Sequence, residues 1–126
     1  AHNNLGNAMK DAGAVREAIA CYETATRLAP GFAAAHSNLG LVLKERGDVA
    51  GAVSRYRAAI AVDPRFAEAY SNLGNALKEA GKLREAVECY LAAIRLRPEL
   101  AEAYANLASA YKDAGRLAEA VAAYRA

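Results

Sequence analysis

Asparagine recurs at intervals of 34 residues along this chain, beside other small polar residues. The recurring residues are Asn4, Asn38, Asn72 and Asn106. An asparagine amide carries two donors and one acceptor, which match the C=O and N–H groups of a peptide unit whatever its side chain. Four such amides in register favour contact with the backbone of another polypeptide. The alternative is that they bond neighbouring helices or water and fix the packing of the chain.

The spacing of these asparagines suits an extended peptide. Packed helices lie roughly 8–10 Å apart, and an extended chain covers that distance in about three residues, at roughly 3.3 Å each. A column with one asparagine on each successive helix can therefore hold a peptide with little selection for its side chains.

Further polar columns accompany the asparagines when the repeating unit is numbered from Ala67, which puts the asparagines at position six. The predicted peptide contacts at positions five and nine are Asn3, Ser37, Ser71, Asn7 and Asn75. Position twelve is always lysine, and its residues are Lys10, Lys44, Lys78 and Lys112. A lysine near the end of a helix complements the helix dipole, so these lysines have a structural alternative to the predicted role of rim contacts.

The repeats divide the chain into four units, which are 1–32, 33–66, 67–100 and 101–126. The first and the last are incomplete, so we expect a piece of a longer array. A fixed period of this length built from two helices is typical of a solenoid. Each unit is predicted to form a helix, a turn and a second helix.

Fixed residue types predict these elements. In the third unit, Tyr70, Leu73 and Leu77 follow the spacing of one buried helical stripe. Glycine at position fifteen can adopt the left-handed conformation that ends a helix. These glycines are Gly13, Gly47, Gly81 and Gly115. Proline ends the second helix because it cannot continue the hydrogen-bond ladder. These prolines are Pro30, Pro64 and Pro98.

This pattern resembles the tetratricopeptide repeat, which has Leu-Gly at positions seven and eight, alanine at twenty and twenty-seven, and an aromatic residue at twenty-four. The aromatic residues here are Tyr22, Tyr56, Tyr90 and Tyr124. The departures are His2 and His36 at position four, where the family has a large aromatic residue, and Ala108 at position eight. The resemblance covers the whole chain. It implies an all-α fold, a right-handed superhelix of antiparallel helix pairs whose first helices line the concave side, and a role in binding peptides or proteins.

The asparagine column also resembles that of the superhelix of the O-linked N-acetylglucosamine (O-GlcNAc) transferases, and sequence segments such as AYSNLGNALKEAG are similar to theirs. That resemblance implies that the four asparagines hold a substrate polypeptide in the inner groove, for a catalytic domain outside this chain. Those transferases often have an acid at position two, which Glu68 and Glu102 match and Ala34 does not. Acids at this position argue against the tetratricopeptide group that clamps the acidic C-termini of chaperones. That group needs lysine at position two of its first unit and basic residues at positions two and six of its third unit, where this chain has Glu68 and Asn72.

Composition narrows the partners and the location. A net charge of +2 in a chain with 24% charged residues gives no electrostatic footprint for nucleic acid or an anionic membrane. No apolar run approaches the length of a membrane span, and no signal peptide is visible. Cys21 and Cys89 lie two repeats apart, which we expect to exceed the roughly 7 Å Cα limit for a disulfide. We therefore predict reduced cysteines in a cytoplasmic or nuclear protein, with no metal and no cofactor.

Two other functions compete with a peptide-binding scaffold. A structural adaptor would self-associate head to tail, because incomplete units should expose apolar stacking surfaces such as Ala120, Val121 and Tyr124. An enzyme would need a catalytic motif, and the sequence has no GxGxxG, P-loop, His/Cys ligand cluster or credible Ser-His-Asp trio. His2 and His36 occupy an aromatic packing position, so we predict core roles for them. We expect no catalytic site in this chain.

Overall fold

The structure, a computed structural model, describes the backbone of residues 2–125 and the side chains of residues 2–115. Its helices are α1 (His2–Asp11), α2 (Val15–Leu28), α3 (Ala33–Glu45), α4 (Val49–Val62), α5 (Ala67–Glu79), α6 (Leu83–Leu96) and α7 (Ala101–Arg125). Residues 2–125 contain no strand. Each helix packs mainly on the helices before and after it, and the first helices of neighbouring units also touch one another. The predicted all-α helical solenoid is confirmed.

Glycine turns join the two helices in each of the first three units. Gly13, Gly47 and Gly81 have φ values of 82°, 90° and 82°. At the third turn, the Lys82 N–H donates to the Leu77 carbonyl at 2.8 Å and the Gly81 N–H donates to the Lys78 carbonyl at 3.0 Å. These two bonds form a Schellman motif, which satisfies carbonyls left open at the end of α5. The turns predicted from glycine at position fifteen are confirmed in these units.

The second helices end where the prolines predict. α2, α4 and α6 each stop two residues before a proline, at Leu28, Val62 and Leu96. Proline disfavours the helical conformation in the residue before it, so the helix closes one residue earlier still. The chain then crosses to the first helix of the next unit.

Tyrosine at position twenty-four dominates the core of each of these units. Tyr22, Tyr56 and Tyr90 are all 0% exposed. Each ring lies against the backbone of the first helix at the glycine of position eight. A Cβ added at Gly74 would lie 2.6 Å from Cε1 of Tyr90, and one added at Gly40 would lie 2.9 Å from Cε1 of Tyr56. Because a packed interior has no spare room for such a methyl group, the tyrosine requires the glycine.

The fourth unit does not turn. α7 runs from Ala101 to Arg125 without a break, and Gly115 is not among the glycines with positive φ. The predicted turn at Gly115 is therefore wrong. At position eight this unit has Ala108, whose methyl group would lie in the space that the tyrosine ring occupies in the other units, and we attribute the unbroken helix to this difference. A second helix that cannot seat its tyrosine gains too little packing to offset the loss of continuous helix.

The straight α7 leaves an apolar face of the fourth unit open. Tyr104 and Tyr111 are 48% and 53% exposed, whereas Leu77, the equivalent of Tyr111, is 1% exposed. Leu77 is covered because it packs with Ala86 and Tyr90 of the docked second helix. The residues predicted to form an apolar stacking surface, Ala120, Val121 and Tyr124, lie outside the described side chains.

The two histidines at position four differ. His36 is 8% exposed, and its Nε2 lies 3.0 Å from the Pro30 carbonyl oxygen, so its predicted packing role is confirmed. His2 is exposed on α1, and the prediction of a core role was wrong for it.

Candidate functional site

One open groove crosses the first helices of the second, third and fourth units. It has a volume of about 390 Å³ and is lined by Lys44 of α3, by Asn75, Lys78 and Glu79 of α5, and by Asn106 and Asp113 of α7. The structure thus brings together four of the predicted contact residues, Asn75, Asn106, Lys44 and Lys78. These side chains meet because consecutive first helices contact one another. A period of 34 residues then places equivalent positions side by side.

The asparagines at position six divide between open and packed environments. Asn4 is exposed, while Asn38, Asn72 and Asn106 are half-buried. The Asn38 Nδ2 donates to the Asn3 Oδ1 at 2.9 Å, a bond between the second unit and the first. The Asn106 Nδ2 is buried without a hydrogen-bond partner among the described residues. The column therefore includes one amide that links units and one with unused donor capacity.

The residues at position five lie between helices rather than in the groove. Asn3, Ser37 and Ser71 are 7%, 5% and 3% exposed. Asn3 accepts the bond from Asn38, and the Ser71 Oγ is buried without a partner among the described residues. Such burial leaves little surface for a ligand and favours a packing role for these three residues, while their contact with a peptide stays a prediction. Their small size instead lets neighbouring units approach closely.

The asparagines at position nine hold the core tyrosines. The Tyr22 hydroxyl donates to the Asn7 Oδ1 at 2.5 Å, and the Tyr90 hydroxyl donates to the Asn75 Oδ1 at 2.6 Å. Sequence reasoning missed this pairing. Its signal was the constant spacing of 15 residues between the asparagine and the tyrosine in the first and third units. Asn7 and Asn75 thus have a structural role, whether or not they also touch a ligand.

Burial of these tyrosines favours their neutral form. It raises the pKa of Tyr90 to about 12 and also raises the pKa of Tyr22, where the carboxylate of Asp11 adds to the effect. The neutral hydroxyls therefore remain donors to the asparagines throughout the physiological pH range.

The lysines at position twelve pair with acids of the next unit. The Lys44 Nζ lies 3.9 Å from Glu79, and the Lys78 Nζ lies 3.9 Å from Asp113 and donates to the Ser109 Oγ at 2.6 Å. The lysine side chains are 28% and 29% exposed. Ion pairs at such exposure contribute little stability and are screened by salt, so they mainly keep the groove edge neutral overall.

The remaining lysines lie outside this groove as it is lined. Lys10 is half-buried in the last turn of α1, and Lys112 is exposed within α7. Lys10, Lys44 and Lys78 each occupy the last turn of their helix, which agrees with the helix-dipole alternative. The continuous α7 removes that role from Lys112.

The described part of the chain has no site for metal or thiol chemistry. Residues 2–115 contain no group of three His, Cys, Asp or Glu side chains placed to hold a metal ion. Cys21 and Cys89 are both free, and burial raises the pKa of Cys89 to about 11, which leaves it a poor nucleophile. Among the described helices, none is long and apolar enough to span a membrane.

A family model described as TPR repeat (tetratricopeptide repeat) matches residues 6–45, 41–81 and 74–115. These three matches overlap and together reach from α1 into α7, over most of the chain. No curated protein matches the sequence.

Solved structures share this fold. The first TPR of Spaghetti (RPAP3), bound to the HSP90 peptide SRMEEVD, is 26% identical with a TM-score of 0.87, and the match covers 90% of each chain. MamA is 27% identical with a TM-score of 0.85, over 98% of this chain and 72% of MamA. An O-GlcNAc transferase mutant of Thermobaculum terrenum is 28% identical with a TM-score of 0.80. That match covers 86% of this chain but only 21% of the transferase.

Proposed function

This chain belongs to the tetratricopeptide repeat family, and on that premise we propose that it binds an extended polypeptide along the groove that crosses α3, α5 and α7. The observation that carries the proposal is the grouping of Asn75, Asn106, Lys44 and Lys78 around one open groove. These side chains come from three consecutive units. A ligand that contacts all of them must run across the helices, as an extended chain does.

Amide groups supply hydrogen-bonding capacity in this groove. Asn75 uses its Oδ1 to accept the Tyr90 hydroxyl, a bond that does not use its two N–H donors. Asn106 lines the groove, and the Nδ2 of its amide is buried without a partner among the described residues. A ligand carbonyl reaches this donor only when the Asn106 amide rotates toward the groove, and an unsatisfied donor gains most from an added acceptor. Main-chain carbonyls recur at every residue of a polypeptide. Donors at regular spacing therefore suit a peptide backbone better than any single small molecule.

The charges in the groove favour a ligand without strong net charge. Lys44 faces Glu79 and Lys78 faces Asp113, so each cation already has an anion beside it. A highly acidic peptide would meet these carboxylates, and a highly basic one would meet the lysines. Binding is therefore expected to depend only mildly on salt.

This chain lacks a feature of the clamp for acidic chaperone termini. The peptide in the RPAP3 structure ends in EEVD. Recognition of such a terminus in that group needs basic residues at positions two and six of the third unit, where this chain has Glu68 and Asn72. Glu68 is occupied by an ion pair with Arg97. These residues support recognition of a polypeptide main chain over recognition of a terminal carboxylate.

The parent protein proposed here is similar to an O-GlcNAc transferase, with this chain as its substrate-recruiting segment. Support comes from the likeness to the Thermobaculum terrenum transferase and from asparagine at position six in every unit. On this proposal the transfer chemistry belongs to a catalytic domain outside the chain, while Asn4, Asn38, Asn72 and Asn106 hold the acceptor polypeptide. Such a protein would act in the cytoplasm or the nucleus.

The test removes two amides that do not hold core tyrosines. Asn72→Ala/Asn106→Ala should weaken binding of a fluorescein-labelled 12-residue Ala/Ser/Thr peptide by about 10-fold or more, because two hydrogen bonds of roughly 0.5–1.5 kcal/mol each are lost. Fluorescence anisotropy measures the affinity, and far-UV circular dichroism should show unchanged helicity.

Two controls make this test specific. Ser54→Ala removes an exposed hydroxyl from α4 and should leave the affinity unchanged. Replacing alternate amides of the peptide by esters weakens its carbonyl acceptors and should lower the affinity for the unmodified protein. An asparagine double variant that binds as tightly as the unmodified protein would overturn the proposal.

A further inference from the structure

The second unit breaks the pairing of asparagine with tyrosine. Its position nine is Leu41, where the first and third units have Asn7 and Asn75. Tyr56 is 0% exposed like its counterparts, yet its hydroxyl is buried without a hydrogen-bond partner among the described residues. Leucine cannot accept the bond that asparagine accepts in the neighbouring units, so this unit loses the stability that a satisfied hydroxyl gives.

Core packing does not account for the leucine. Leu41 is half-buried, and it belongs to none of the apolar clusters found among residues 2–115, although its neighbours Leu39, Val42 and Leu43 do. Position nine faces the groove in the third unit, where Asn75 lines it. Leu41 therefore presents an apolar side chain at the same position of the second unit.

The charge near Leu41 is already paired with an opposite charge. Lys44, one turn further along α3, is paired with Glu79. The surface around Leu41 thus combines a half-buried isobutyl group with a neutralised ion pair. A single apolar group between amide-bearing units favours a ligand that is polar along its length and apolar at one point.

We propose that Leu41 forms an apolar subsite of the groove, which takes one aliphatic or aromatic side chain of the bound polypeptide and so sets its register. The inference rests on the proposed function, because the subsite acts only on a polypeptide that the groove already holds. Neighbouring units lie roughly 8–10 Å apart, which is about three residues of extended chain. The preferred apolar residue should therefore lie about three residues from the peptide units opposite Asn7 and Asn75.

A leucine scan tests the subsite. A set of fluorescein-labelled 12-residue Ala/Ser/Thr peptides carries one leucine at each successive position, and fluorescence anisotropy gives the affinity of each. The unmodified protein should bind the peptides with leucine near one position about 5- to 20-fold more tightly than the others, as partial burial of one leucine side chain allows. Leu41→Asn should remove that preference while it still binds the leucine-free peptide.

Reciprocal variants sharpen the result. Asn75→Leu should add a second preferred position, about three residues from the first. Leu41→Asn should also raise the melting temperature by about 3–6 °C, since it gives the Tyr56 hydroxyl an acceptor. Leu41→Ala separates the two effects, because it should remove the leucine preference without that rise. This variant also keeps the test valid if the Asn75→Leu protein does not fold.

The outcomes distinguish the inference from the proposed function. Affinities that are equal at every leucine position, in a protein that binds the leucine-free peptide, would overturn the apolar subsite alone. A leucine preference that survives Leu41→Asn and Leu41→Ala would do the same. Failure of the unmodified protein to bind any of the peptides would overturn the proposed function and the subsite together.

Discussion

The third unit turns at Gly81 and packs α6 back against α5, whereas the fourth unit passes through Gly115 as part of one helix. Both glycines occupy position fifteen of the repeat. The two units differ at position eight, where the third has Gly74 and the fourth has Ala108. A glycine that can adopt the left-handed conformation is therefore not sufficient to form the turn between the two helices. The second helix also needs a place for its tyrosine on the first.

The tyrosine contributes most to this packing because the other fully buried residues of α6 are alanines. Tyr90 is 0% exposed, and so are Ala86 and Ala93, which bury much less apolar surface each. Tyr90 also donates its hydroxyl to Asn75 of the first helix. Without the tyrosine contact, a second helix loses the largest single burial of apolar surface that stabilises the turned unit.

The largest effect is expected when the third unit receives the residue of the fourth. Gly74→Ala places a methyl group 2.6 Å from Cε1 and 2.8 Å from Cδ1 of Tyr90. Overpacking of this kind costs about 1–3 kcal/mol of unfolding free energy, offset in part by the roughly 1 kcal/mol that alanine gains over glycine within a helix. Urea unfolding followed by circular dichroism measures the net loss.

Gly31→Ala is the matched control for this variant. No atom lies within 4 Å of a Cβ added at Gly31, and its φ is not positive. It should unfold at the same urea concentration as the unmodified protein. A Gly74→Ala protein that is as stable as the Gly31→Ala protein would remove the tyrosine contact as the reason for the difference between the units.

Alkaline pH should weaken the docked units through their tyrosines. Burial raises the pKa of Tyr90 from 10.0 to about 12, so the folded chain keeps a proton that the unfolded chain has released over that range. The contribution to stability is complete below pH 10 and is lost as the pH rises through 12. Urea unfolding at a series of pH values should show the decline.

Tyr90→Phe isolates this residue from the other groups that titrate at high pH. The variant is less stable at neutral pH because it loses the bond to Asn75, but its stability should fall less steeply above pH 10. Equal slopes in the two proteins would mean that Tyr90 ionises in the folded state as it does in the unfolded one.

Much of this fold follows from residues that act locally or within one helix pair. The left-handed turns at Gly13, Gly47 and Gly81 depend on backbone freedom, and the prolines act on adjacent residues. These features were predictable because their physical cause lies within a few positions of sequence. The absence of a turn at Gly115 was not predictable. A turn there would require the second helix to dock on the first at Ala108, which is a contact between distant positions.

The sequence predicted which residues group around the groove, but it did not predict the hydrogen-bond partner of each amide. A fixed period places equivalent residues side by side, so the grouping of Lys44 and Lys78 follows from the sequence. The choice of partner for each amide does not, since an asparagine can bond any donor or acceptor within reach. Thus Asn7 and Asn75 bond tyrosines, Asn38 bonds Asn3, and Ser37 and Ser71 at position five are buried.

The smallest change in free energy is expected from the opposite exchange, Ala108→Gly. It opens the space that a tyrosine needs and costs the straight helix roughly 1 kcal/mol in helix propensity, so both effects favour a turned fourth unit. Spin labels at positions 102 and 123, with Cys21 and Cys89 replaced by alanine, report the result by pulsed electron paramagnetic resonance. A straight helix separates the labelled positions by about 31 Å, at 1.5 Å per residue. Ala108→Gly should add a population below about 20 Å, because packed helices lie only roughly 8–10 Å apart.

A second substitution shows whether this shorter distance depends on the tyrosine. Ala108→Gly/Tyr124→Ala keeps the open space and the weaker helix but removes the ring that should fill the space. If the tyrosine drives docking, the short population disappears and the single distance of about 31 Å returns. If flexibility at position 108 alone bends the helix, the short population persists in the double variant. Position eight would then act on the stiffness of α7, and the difference between the third and fourth units would no longer depend on how their second helices dock.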